Sequence, residues 1–123
     1  MSTSVEAETV PCPFCGQPLH SIIRASGKVH ELKLQKQFVH AVYFGEKQFE
    51  IRKNDRDFQV GDVIVFRGID EDEKWYPSLL DGKMYVITHV LSGWGLLPGY
   101  VALGIRQMTR EERAERRANR DNV

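Results

Sequence analysis

At 123 residues the chain has room for one domain with a modest core, and its 41% hydrophobic content is that of an ordinary globular protein. Seventeen basic against 17 acidic side chains give zero formal net charge, which excludes coating duplex DNA through bulk positive charge. No apolar run approaches the roughly 20 residues that span a bilayer, and the acidic first residues lack the blocks of a signal peptide, so the expectation is a cytoplasmic protein without a membrane partner.

Residues 1–10 are polar and acidic without periodicity and read as a disordered lead. Residues 11–28 hold Cys12-Pro13-Phe14-Cys15-Gly16, Pro18 and a Ser26-Gly27-Lys28 turn, a short cysteine appendage ahead of the main domain, 29–107. There Leu32 and Leu34 alternate with Glu31 and Lys33, which predicts a strand. Over residues 35–44, Phe38, Val39, Val42 and Tyr43 fall at helical spacing, and Gly45 stands where a left-handed C-terminal cap is needed. A strand-like run follows, with Phe49 and Ile51 as the expected inward set and Gln48, Glu50 and Arg52 sharing the opposite face.

Val60-Gly61-Asp62 reads as a turn into Val63-Ile64-Val65-Phe66, whose β-branched and aromatic content suits burial on both faces. Residues 68–82 are acidic and carry Pro77 and an Asp81-Gly82 pair, so an excursion between paired strands is expected rather than core. The runs 85–91 and 100–105 are the remaining strands, and the loop between them is too apolar for a mere linker. Thr109-Arg110-Glu111-Glu112 is a capping-box pattern that opens a charged, solvated helix within 108–123. The fold class is α+β, mainly β: a small mixed barrel with one or two packed helices.

The densest charge pattern runs from Gly45 to Arg56 and contains G-x-K-x-x-E-x-R as Gly45, Lys47, Glu50 and Arg52. It resembles the signature of the ASCH superfamily, small PUA-like domains. With His30-Glu31-Leu32-Lys33-Leu34 before it and Asp55 to Asp62 after it, the chain resembles an uncharacterised bacterial and phage branch from about His30 to Ile105. Read alone, Glu50 pairs with Arg52 or Lys47 on a solvated edge. The resemblance implies instead that Lys47, Glu50 and Arg52 line a ligand cleft between helix and barrel, with Lys33 and Arg56 as neighbours. Arginine forks suit phosphate, and a carboxylate accepts from an exocyclic amine such as that of cytosine.

The function expected is a module binding RNA or a modified nucleotide, with Trp94 as a stacking lid. The first rival is a small amidohydrolase that deacylates a modified cytidine. Some superfamily members use a lysine and, three residues later, a threonine nucleophile; that position is Glu50 here, so Lys47 and Glu50 would have to act as oxyanion stabiliser and general base. The second rival is a phage or host regulatory domain that binds another protein.

Cys12 and Cys15 form half of a zinc-ribbon knuckle. Structural zinc takes four ligands, and the candidates to complete the set are His20, His30 or a second chain. Zinc is the one cofactor the sequence suggests, and a reduced, metal-free thiol pair is the alternative.

Overall fold

The computed structural model describes residues 11–17 and 23–121. The acidic lead and His20 lie outside them. Five strands form one mixed sheet: β1 (Val29–Gln35), β2 (Phe49–Lys53), β3 (Val63–Ile69), β4 (Tyr85–Ser92) and β5 (Tyr100–Gln107), in the order β1-β3-β4-β5-β2. β1 lies parallel to β3, and every other pairing is antiparallel. The expected barrel is not closed, because β1 and β2 are both edges with no ladder between them. Side chains cross this seam instead. Arg52 Nη2 donates to Lys33 O at 2.5 Å and Arg56 Nη1 to Glu31 O at 2.7 Å, so guanidinium groups occupy carbonyls that a neighbouring strand would use.

The inner face carries the main core. Leu32 and Leu34 on β1, Ile64 and Phe66 on β3, Tyr85 and Ile87 on β4, and Val101, Leu103 and Ile105 on β5 meet Val39 and Val42 of the helix. That helix begins as a 3-10 turn, Lys36–Phe38, and continues as α1 (Val39–Tyr43), close to the expected span. It ends as the glycine implied. Gly45 has φ +78°, its N–H donates to Val42 O and that of Glu46 to Ala41 O, a Schellman stop. Lys47 N–H also donates to Ala41 O, so the stop itself delivers Lys47 to the head of β2.

β3 is buried on both faces, as its composition predicted. Val63 packs on the outer face with Val86 and Met108, while Ile64 enters the main core. The acidic excursion also departs from its reading in one respect: Leu80 is fully buried and plugs the core. α2 (Arg110–Asp121) opens on the predicted capping box, Thr109 Oγ1 accepting from Glu112 N–H and Glu112 Oε1 from Thr109 N–H. Glu112 takes a two-point grip from Arg106 at 2.7 and 2.8 Å, and Arg116 donates to the carbonyls of Ala25 and Gly27. The helix is thereby tied to the segment before β1. Its arginines are not all solvated.

A register shift in β4 matters for the outer face. Ile87 pairs with Ile105 but His89 pairs with Gly104, so Thr88 is an extra residue. This bulge turns His89 and Leu91 outward and Val90 toward the core. A Cβ on Gly104 would lie 2.9 Å from Thr88 Oγ1, which explains glycine opposite the bulge.

Candidate functional site

β2 presents the reverse face to the one expected. Glu50 is 4% exposed, whereas Phe49 and Ile51 are 50% and 53% exposed. Alternation requires only that these two sets part, and the register decides which goes in: Glu50 lies opposite Leu103 and Arg52 opposite Val101, both core residues of β5. The charged set therefore lies under the sheet, where a carboxylate needs partners.

It has two. Lys47 Nζ bonds the Glu50 carboxylate through Oε2, and also donates to Phe49 O at 2.8 Å. Arg52 holds Oε1 through Nη2 at 3.0 Å and Nε at 3.2 Å. Lys47 Nζ further lies 5.1 Å from the centre of the Phe38 ring and 4.8 Å from that of Phe49, within cation–π range. One carboxylate against two cations leaves the cluster with one positive charge. Lys47 keeps one of its three protons uncommitted to these acceptors, and Arg52 its Nη1 amine.

The resemblance thus named three residues that do converge. Arg56 joins them at the seam, at the end of a turn pinned by Asn54, whose Oδ1 accepts from Phe58 N–H and whose N–H donates to Gly99 O. Lys33 contributes its carbonyl, while its exposed ammonium lies 3.8 Å from Glu73 Oε1. Trp94 is 88% exposed at the tip of the β4–β5 loop and makes no ring contact or hydrogen bond with the cluster.

Sequence reasoning missed Phe38 as a platform for Lys47 and missed the His30–Asp62 pair. Buried His30 has Nε2 2.8 Å from Asp62 Oδ2, and its ring meets Phe58 edge-on. Asp62 also accepts from the N–H groups of Lys28 and Gln59, so it clips three segments together. The turn-forming Gly61-Asp62 was the only local signal. His30 therefore offers the thiols no free Nε2. At the knuckle Phe14 N–H points at Cys12 Sγ, 3.4 Å away, and backbone amides of Phe14 and then Cys15 hold the Cys12 thiol below its ordinary range. Among the described residues no group of three or more His, Cys, Asp or Glu side chains is placed to hold a metal.

Fold and site define a small α+β protein, mainly β, with an open sheet whose seam is bridged by arginines over a buried carboxylate. Residues 29–105 match the family described as "Domain of unknown function (DUF3850)", and the chain belongs to it. It is 34% identical over 80 residues to an "Uncharacterized 12.9 kDa protein in GpA 3'region" of Escherichia phage P2, across 62% of this chain and 66% of the relative. Among solved structures it is similar to hypothetical protein PH0355, with a TM-score of 0.43 and 19% identity over 67% of this chain and 100% of that one. Among the described residues no helix is long and apolar enough to cross a membrane.

Proposed function

We propose that this chain is a binding module for RNA or a modified nucleotide, of the ASCH and PUA-like kind, and that its ligand enters at the seam between β1 and β2. One observation carries the reading: Arg52 and Arg56 rest on the main-chain carbonyls of Lys33 and Glu31. A neutral carbonyl is a weak acceptor for a guanidinium, and a phosphate oxygen is a stronger one. The arginines can therefore exchange partners without unfolding the sheet, while Glu50, held by Lys47 and Arg52, keeps the positive charge fixed at the seam.

The test is binding of short single-stranded RNAs and cytidine nucleotides, read by fluorescence anisotropy and calorimetry. Arg56→Ala is the informative variant, because its exposed side chain supports no buried charge. It should weaken binding about tenfold or more and flatten the salt dependence while leaving thermal stability unchanged. Arg52→Ala is a poorer test, since it also strips a partner from Glu50. Undiminished binding by Arg56→Ala would remove the seam from the site. Release of free acid from an acylated cytidine in the same panel would transfer the reading to the amidohydrolase.

A further inference from the structure

The outer face of β2, β4 and β5 lies opposite the charged seam and has its own character. Phe49 and Ile51 from β2, and Leu91 from β4 beyond the bulge, stand exposed around a floor of Ala102 and Gly104. With Val60 and His89 they enclose a groove of about 460 Å³. At the end of the same hairpin a second apolar feature projects. Trp94 and Leu97 are 88% and 69% exposed, and Trp94 is held at φ +52° between Gly93 and Gly95, which also have positive φ. A tryptophan in left-handed backbone is strained by about 1–2 kcal/mol. Here it gains no packing within the chain in return. Contiguous exposed apolar surface of this kind marks a contact with another macromolecule.

The chemistry of the face selects the class of partner. Apart from Arg106, which is closed on Glu112, Lys53 is the one cation that β2 and β5 turn outward. A nucleic-acid strand needs repeated phosphate contacts, and this face does not provide them. Groove and finger are also matched to each other. Along the hairpin the order from the tip is the Trp94 loop, the Tyr100–Lys53 row, the Leu91–Ala102–Ile51 row, and the His89–Gly104–Phe49 row. A two-fold axis between the middle rows seats each copy's finger in the other's groove, the self-complementarity of an isologous contact. Zero net charge lets two copies meet without net repulsion.

We infer that the chain forms a two-fold dimer through the outer face of β2, β4 and β5, with Trp94 and Leu97 of each copy in the groove floored by Ala102 and Gly104 of the other. This is independent of the nucleotide reading, which uses the inner face. Sedimentation of the full chain should show a concentration-dependent species of twice 14.2 kDa. Trp94→Ser should weaken dimerisation about tenfold or more without lowering the thermal stability of the monomer.

Leu91→Glu and Leu91→Lys should each be monomeric, since the axis brings like charges together, and mixing the two should restore a dimer of one copy of each. A wild-type chain that stays monomeric into the millimolar range, a Trp94→Ser variant that dimerises normally, or a Leu91 mixture that stays monomeric overturns the inference.

Discussion

The Lys47–Glu50–Arg52 cluster should be a poor stabiliser as a whole and an indispensable one in its parts. Glu50 is 4% exposed, with one oxygen held by Lys47 and the other by Arg52. Arg52→Met keeps most of the side-chain volume and removes one counterion. Breaking a buried pair this way destabilises by about 3–5 kcal/mol, and since Lys47 remains and the Arg52 head is part-exposed, the low end is expected. With a urea slope of about 2 kcal/mol/M, a loss of about 3 kcal/mol lowers the midpoint by about 1.5 M. Lys47→Met should behave alike.

The triple replacement Lys47→Met, Glu50→Leu, Arg52→Met removes every charge and should return to within about 1 kcal/mol of wild type. Far-UV circular dichroism is the suitable probe, because Trp75 and Trp94 are both exposed and would report unfolding poorly by fluorescence. Single variants losing less than about 1 kcal/mol, or a triple variant as unstable as the singles, would refute the reasoning. Confirmation would mean that apolar residues serve the fold as well, leaving ligand recognition as the use for the charges.

Two further predictions concern pH. Arg106, and beyond it Thr109, hold Glu112 below the usual carboxylate range, so its ionised form favours the folded state. That contribution, about 1 kcal/mol for a part-exposed pair, is full above pH 4.5, the ordinary value, and is lost as pH falls through the depressed native one. Amide exchange in α2 and in residues 23–28 should speed up on acidification, and Glu112→Gln should abolish the difference. Burial, reinforced by nearby Tyr43, pushes the Tyr85 phenol up to about 12. The neutral form is the one the fold holds, so its contribution is full below pH 10 and falls as pH rises toward 12. Absorbance at the phenolate band should show a late step near pH 12 that Tyr85→Phe removes.

Local patterns determined the local structure. The stop at Gly45, the alternation of β1, the two-sided burial of β3 and the Thr109–Glu112 box each depend on residues a few positions apart, and each is legible in the chain. The G-x-K-x-x-E-x-R spacing likewise brought Lys47, Glu50 and Arg52 together, because a helix stop followed by alternation leaves them little freedom to separate. Which face of β2 they occupy was decided elsewhere. A period of two separates Phe49 and Ile51 from Glu50 and Arg52 without saying which pair is buried, and the pairing of Glu50 with Leu103 and of Arg52 with Val101 settled it.

The open seam has the same origin. A strand count suggests closure, but whether two edges zip or stand apart depends on the arginines that meet the carbonyls of Glu31 and Lys33, 25 and 19 residues away. The bulge at Thr88 reverses the facing of Leu91, and the His30–Asp62 clip spans 32 residues. Hydropathy carries no record of such contacts, because their free energy belongs to pairs that only the folded chain brings within bonding distance.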